Sequence, residues 1–516
     1  MFLWLCILLF LCGFVAKFRR TRDRRPLPPG PRGVPILGNI LDFPTSDLAR
    51  GFNALAARYG EMVYLEILGK PILVLNTYEV ACEFMDRRSR AYADRPDSVM
   101  ARLATLTDFS LPLIPYGDRW RRHRRVYHQT LQQKMIRSRY HDKLTHVTRL
   151  LLSNLLDSPR EFSRHVDQRV LFNSCGLHAF AASVLSIGYG IQISEKDDRF
   201  VNMLHTSHDL IEAIVVPGKY LVEVVPVLQY LPSWIPGLSF RRDSQALREE
   251  VRSTMRVLYE EGKRGVEAGR GSDSMLATML QGPAMPEGKP VAEEEEECAG
   301  VAVTTYIAGS DTTVASMRAF LLAMAMYPEV QKKAQDELDG VVGRSRLPDL
   351  NDRSGLPYVN ALVKELSRWH VVAPIGLARA ALEDDEYNGY HIPRGTTVIT
   401  NLWAYSRDPA IYPDPETFNP DRFLKDGKLN SDARDPYSFI FGFGRRICPG
   451  RHLADASLFL TCAAILHVLS ITPPLDEDGC PQELKAKMTT HLIISHPEEF
   501  DCVIKPRWAN AADLVR

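Results

Sequence analysis

Phe441-Gly442-Phe443-Gly444-Arg445-Arg446-Ile447-Cys448-Pro449-Gly450 is the stretch that decides how this chain is read. It sets one cysteine in a glycine-rich turn. Arg446 stands two residues before that cysteine, and an apolar, helix-like run, Leu453 to Leu469, follows. Glycine lets a backbone bend and come close to a large flat ligand. A helix N-terminus and neighbouring arginines favour thiolate over thiol, and a guanidinium pairs readily with a carboxylate. A lone buried cysteine is ordinarily a small, inert hydrophobe. The ten residues together fit a different task, in which a thiolate faces a flat ligand that carries carboxylates.

Working outward, the 516 residues are 45% apolar and 24% charged, ordinary values for a globular chain. The net charge is zero, so nothing global points to nucleic acid. The nine cysteines include no C-x-x-C pair and are odd in number, which fits a reducing compartment better than a disulfide scaffold. Phe2 to Ala16 carries no charged side chain and is followed by Lys17, Arg19, Arg20, Arg22, Arg24 and Arg25. A cleaved signal would carry its basic residues before the apolar run. This order predicts a membrane anchor over 1–18 with the remainder of the chain in the cytoplasm. A basic, proline-rich hinge is expected over 19–35, containing Leu27-Pro28-Pro29-Gly30-Pro31. One domain is expected over 36–516.

Within that domain, apolar periodicity predicts long helices at Arg119 to Gln132, Asp142 to Leu156, Ala246 to Ala268, Glu293 to Tyr327, Pro328 to Val342, Val359 to His370 and His452 to Leu469. Strand patterns occur at Met62 to Leu68, Pro71 to Leu75 and Thr396 to Asn401. The fold class is therefore mainly α with small β-sheets. Gly269 to Ser272 and Gly282 to Pro290 read as surface loops. The acidic run Glu293 to Glu297 reads as the exposed first turns of a helix, complementing its dipole.

Several spacings carry chemistry. Ala308-Gly309-Ser310-Asp311-Thr312-Thr313 lies inside the longest helical pattern. A glycine there costs about 1 kcal/mol against alanine. Ala308 and Gly309 offer a small side for close approach, while Asp311 and Thr312 supply an acid and an alcohol for proton delivery. Glu365 and Arg368 share a helix face at i,i+3, as Trp120 and Arg124 do at i,i+4. An indole N–H and a guanidinium are both donors suited to a carboxylate. No dinucleotide or phosphate-loop motif is present: the run from Gly442 lacks a third glycine, and Gly288-Lys289 is followed by Pro290. Electrons for any redox reaction would come from outside the chain.

These motifs, in this order, resemble those of the cytochrome P-450 family. The opening stretch is similar to its haem loop F-x-x-G-x-R-x-C-x-G, and residues 308–313 to its oxygen-activating helix. Glu365 and Arg368 match E-x-x-R, Phe418 to Phe423 matches the segment whose arginine, here Arg422, joins that pair, and Trp120 and Arg124 match W-x-x-x-R. The resemblance implies a cytochrome P-450 fold behind an N-terminal anchor helix in the endoplasmic reticulum membrane. It implies haem b with Cys448 as axial iron ligand and Phe441 and Gly450 within the cofactor-binding loop. Trp120, Arg124, Arg379 and Arg446 become propionate contacts, although Ala378 stands where many relatives carry histidine. Asp311 becomes the proton relay and Thr312 the group that steadies activated oxygen. Glu365, Arg368 and Arg422 become a structural ion network.

The implied reaction is monooxygenation. One atom of O2 enters a lipophilic substrate (terpenoid, polyketide or xenobiotic), in secondary metabolism or detoxification. NADPH supplies electrons through a separate NADPH–cytochrome P-450 reductase, with cytochrome b5 a second candidate donor. Arg119, Arg121, Arg122, Arg125, Arg445 and Arg451 are candidates for docking that partner, or form a solvated basic face. Tyr220 to Gly237 resembles fungal enzymes of the O-methylsterigmatocystin oxidoreductase type. The pocket is expected among Val99 to Leu113, Leu204 to Val216, Val301 to Thr305, Val371 to Leu377 and Thr489 to Ile493. Two rivals are a reductase-independent isomerase or dehydratase of the same fold, against which the intact Asp311–Thr312 pair argues, and a non-catalytic haem-binding membrane protein, which the complete set of chemical residues disfavours.

Overall fold

The seven long helical patterns are all helices in the computed structural model, which describes residues 25–158, 175–192, 198–215, 218–231, 239–281, 291–491 and 493–515. In chain order the principal elements are α1 (Leu48–Tyr59), β1 (Met62–Ile67), β2 (Lys70–Leu75), α2 (Asp118–Thr130), α3 (His141–Asp157), α4 (Cys175–Tyr189) and α5 (Arg199–Val215). Then follow α6 (Phe240–Glu267), α7 (Val291–Met326), α8 (Pro328–Val341), α9 (Pro357–Trp369), β3 (Arg379–Ala380), β4 (Thr397–Thr400), α10 (Arg451–Val468), β5 (Leu469–Thr472), β6 (Met488–His491), β7 (Ile494–Pro497) and β8 (Val503–Pro506). The expected anchor at 1–18 lies outside the described residues, as do residues 19–24 of the hinge and the Gly282 to Pro290 loop. Among the described residues no helix is long and apolar enough to cross a membrane.

Apolar side chains on every face make α10 a central helix: Leu458 through Val468 are buried without a break. It packs on α3, α7, α8 and α9. The 36-residue α7, about 54 Å long at helical rise, crosses the molecule and contacts α4, α6 and α10. Proline at the first turn starts both α8 and α9, where no backbone N–H is needed. Glu337 on α8 caps α9 by accepting from the Tyr358 and Val359 amides at 2.8 and 2.9 Å.

The four-stranded sheet runs β1-β2-β4-β3. β1 and β2 form a hairpin through Leu68 and Gly69, both at positive φ as a tight hairpin turn requires. β2 and β4 are parallel, so chain segments more than 300 residues apart meet there. The Gly269 to Ser272 turn lies at the surface as expected, with Gly271 alone packed closely: a Cβ there would lie 2.7 Å from Gly190. α1, α4 and α5 are helices beyond those the sequence patterns predict.

Candidate functional site

Cys448 sits between a tight turn and the first residues of α10. Gly442 and Gly444 take φ of 74° and 50°, the left-handed region that side chains avoid. At Gly444 space also forbids a side chain, because a Cβ would lie 2.2 Å from the Met85 carbonyl oxygen. The Cys448 amide donates to the Phe441 carbonyl at 2.8 Å and closes the loop. Gly450 precedes α10, and a Cβ there would be 3.9 Å from the Cys448 Sγ. Burial pushes the Cys448 thiol up; the Gly450 and Arg451 amides and the Arg124 and Arg451 guanidinium groups pull it back toward thiolate. These donors at a helix start are suited to holding a negative sulfur.

Around the loop lies a group of guanidinium groups. Arg446 donates to the carbonyls of Ala93, Leu111 and Ile114 at 2.7, 3.2 and 2.8 Å, and its charge stands 4.8 Å from the Trp120 ring. Arg379, at the start of β3, donates to Phe443 O at 2.6 Å, and Arg124 to Ile447 O at 2.6 Å. Arg95 donates to the carbonyls of Leu377 and Ala378 at 2.8 and 2.6 Å. Burial holds Arg446 and Arg379 down to about 10, lowers Arg124, and holds Arg95 well below its usual value. Arg95 also feels the charges of Arg446 and Arg379.

Among the described residues none of the four forms an ion pair with a carboxylate. Asp94 is near, but its Oδ1 accepts from the Tyr116 amide at 2.8 Å. Trp120 is buried, and its indole N–H has no hydrogen-bond partner among the described residues. Buried positive charge without counter-charge is costly. A planar group bearing two carboxylates, lying against a thiolate, would answer that charge. The donor set therefore fits haem.

Opposite elements bring the candidate oxygen-side residues. α7 runs unbroken through residues 308–313, so Gly309 makes no interruption. The expected open side is partly filled: a Cβ on Gly309 would meet Val184 of α4 at 3.4 Å, an ordinary contact. Thr312 Oγ1 donates to Ala308 O at 2.9 Å, and Thr313 Oγ1 to Gly309 O at 2.7 Å. Asp311 is buried, 3.4 Å from the Nε2 of His496 on β7.

A model of the cytochrome P-450 family matches residues 28–500. The chain belongs to the cytochrome P-450 family. It is 38% identical to cytochrome P-450 monooxygenase COX2 of Coprinopsis cinerea over 96% of this chain and 93% of that protein. It is 36% identical to cytochrome P-450 monooxygenase 176 of Postia placenta (98% and 95% covered). It is 35% identical to tryptamine 4-monooxygenase of Psilocybe cyanescens (96% of each). The recognition of a fungal P-450 is thereby established, and with it a monooxygenase that uses a haem held by a cysteine thiolate, O2 and reductase-supplied electrons.

In this P-450 the expected ion network is formed. Arg368 donates to both Glu365 oxygens at 2.7 and 2.8 Å, and Arg422 Nε to Oε1 at 3.1 Å. Glu365 and Arg368 are wholly buried. The basic face is divided. Arg122 turns inward to Glu297 at 2.6 Å, so that glutamate is buried rather than exposed as its acidic run suggested. Arg119, Arg121, Arg125 and Arg445 remain exposed. The apolar pocket candidates Val99, Met100, Leu106, Phe109, Leu204 and Val301 join one buried cluster. Sequence reasoning missed Arg95 and His496. Arg95 had a weak signal, an arginine locked by Pro96; His496 had none.

Proposed function

We propose that Cys448 is the cysteine that ligates the haem iron in this enzyme, and that the substrate is a lipophilic small molecule of fungal secondary metabolism or detoxification. The observation that carries the reading is the cluster of buried and half-buried guanidinium groups around the Cys448 loop, none of them in an ion pair among the described residues. Bound haem supplies activation of O2, strengthened by electron donation from the thiolate. Arg95, Arg124, Arg379 and Arg446 would neutralise the propionates, with the Trp120 N–H as a further donor. Phe441 and the glycines shape the loop, and the Gly450 amide would help to hold the sulfur as thiolate against the effect of burial. Asp311 would take up and pass on protons. The Thr312 hydroxyl, now bonded to Ala308 O, would swing toward the reacting oxygen by rotation about χ1.

The apolar cluster around Phe109 and Val301 would exclude water and select greasy substrates. A relative named for its action on tryptamine makes an aromatic substrate a reasonable first choice for screening. Electrons would arrive from NADPH through the reductase, with cytochrome b5 as a second donor, docking on the exposed Arg119, Arg121, Arg125 and Arg445.

We further propose an endoplasmic reticulum anchor at 1–18 with the catalytic domain in the cytoplasm. Exposed apolar side chains support it: Ile36, Leu37 and Leu41 on one segment, Leu221, Val227 and Tyr230 on another. Lys70 joins the two regions by donating to the Glu223 carbonyl. Exposed apolar side chains on segments linked in this way suit a membrane surface.

The test is the difference spectrum of reduced, carbon-monoxide-bound membranes, with Cys448→Ala beside the wild type. A thiolate-type Soret band that disappears in the variant supports the assignment. A haem-loaded wild type without that band overturns it.

A further inference from the structure

Beside Asp311 three side chains from two helices converge. His208 and Glu212 stand at i and i+4 on α5 and so share a face; Asp311 faces them from α7. One donor atom from each, an imidazole nitrogen and two carboxylate oxygens, all lie within 4.8 Å of one another. His208 is 5% exposed, and its Nδ1 is buried with no hydrogen-bond partner among the described residues. Leaving a buried ring nitrogen unbonded costs free energy that coordination would recover. His496 reaches the same carboxylate from β7, at 3.4 Å.

We propose that His208, Glu212 and Asp311, with His496 as fourth donor, form a binding site for a zinc-class divalent cation that clamps α5 to α7. Two imidazoles and two carboxylates suit zinc and its first-row neighbours, and four donors complete its tetrahedron. Magnesium and calcium want all-oxygen shells and do not fit. Tetrahedral zinc sets its ligand atoms about 3.3 Å apart. The atoms of His208, Glu212 and Asp311 must therefore close by at most about 1.5 Å, and His496, which lies outside that group of three, must turn from the Asp311 carboxylate toward the ion. The ion would occupy the Asp311 carboxylate and slow oxygenation. That consequence, unlike the binding itself, rests on the reading of Asp311 as proton relay.

Chelator-stripped holoenzyme would be dialysed against zinc, or against magnesium as control, and the metal counted per haem. One retained zinc per haem and no magnesium is expected. Affinity should fall on the order of 100-fold or more in His208→Ala and in Glu212→Gln, since even indirect supports of a metal cost up to about that much. An unchanged reduced carbon-monoxide spectrum establishes that both variants are folded. Zinc should suppress NADPH-dependent product formation in the wild type and not in His208→Ala. No zinc in the wild type, or equal retention in both variants, overturns the site. Zinc held by the wild type and lost in the variants, with turnover unaffected, keeps the site and overturns the relay reading of Asp311.

Discussion

Removing the Glu365 carboxylate should cost this enzyme its haem without touching any residue that meets the cofactor. The carboxylate accepts four N–H groups: Arg368 Nε and Nη2 at 2.7 and 2.8 Å, Arg422 Nε at 3.1 Å and the Asn419 amide at 2.7 Å. Arg368 spends its other donors on the carbonyls of Ser406, Pro415 and Thr417, so it cannot turn to a new partner. Water cannot replace the carboxylate easily, because Glu365 and Arg368 have no exposed surface. Glu365→Ala therefore leaves two guanidinium groups with one negative charge fewer between them. Breaking a buried pair in this way costs about 3–5 kcal/mol. A native protein has only about 5–15 kcal/mol to lose, and each 1.4 kcal/mol is roughly tenfold in equilibrium. The fold should weaken by roughly 100-fold to several-thousand-fold. Glu365→Gln keeps the shape but neither the charge nor the second acceptor, since its NH2 would face an N–H donor, so it should recover only a minor part of the loss.

The damage should reach the haem loop because the network pins α9 to the Pro420–Phe423 turn, from which the chain runs on to Phe441. The assays are the haem-to-protein ratio after purification and the thermal midpoint of apo and holo forms. A purified Glu365→Ala protein with full haem occupancy and an unchanged midpoint would refute the structural role of the triad.

Three further outcomes are expected. Gly442→Ala should be tolerated at about 1–2 kcal/mol, the cost of a left-handed alanine, because its surroundings are open, whereas Gly444→Ala should lose most haem through its clash with the Met85 carbonyl; equal haem content in the two variants would contradict this. Arg95→Leu should speed haem loss as much as Arg124→Leu does, measured by transfer to apomyoglobin, and a wild-type rate would remove Arg95 from the cradle. Burial holds the His370 imidazole down to about 3, while the unfolded chain takes up a proton near 6.5. The unfolded state thus binds more protons between those values, and stability should fall as pH drops through that window, by up to about 1.4 kcal/mol per pH unit. His370→Gln should flatten the acid limb of a urea-midpoint titration, and an unaltered slope would refute the assignment.

What the sequence revealed and what it hid divide along chain distance. The Cys448 loop was legible because its constraints are local: left-handed glycines at 442 and 444, an amide that reaches back only seven residues to Phe441, and a helix that starts at once. Helices α2, α3, α6, α8 and α9 were legible because each repeats an apolar face along its own length, and α7 and α10 because each is a long, predominantly apolar run. Even so, α6 begins about six residues before its periodicity does. α1 escaped because it is short and buries only Ala49 and Phe52.

The residues that escaped at the site are held by partners remote in sequence. Arg95 gains its meaning from Leu377 and Ala378, more than 280 positions away, and His496 from Asp311 across the width of the sheet and helix layers. Arg122 shows the same limit from the other side. As a sequence it is one arginine in a basic helix, and only the fold reveals that Glu297 draws it out of the exposed face. The Ala378 departure illustrates how the two kinds of information combine. Sequence comparison alone makes Ala378 a lost propionate donor; in the fold its carbonyl holds Arg95, which brings a guanidinium group to the same side of the cradle. A histidine there would be only partly charged near neutral pH. An arginine keeps its charge over a wider range, and a bound carboxylate would restore the charge that burial and the neighbouring Arg446 and Arg379 disfavour at Arg95.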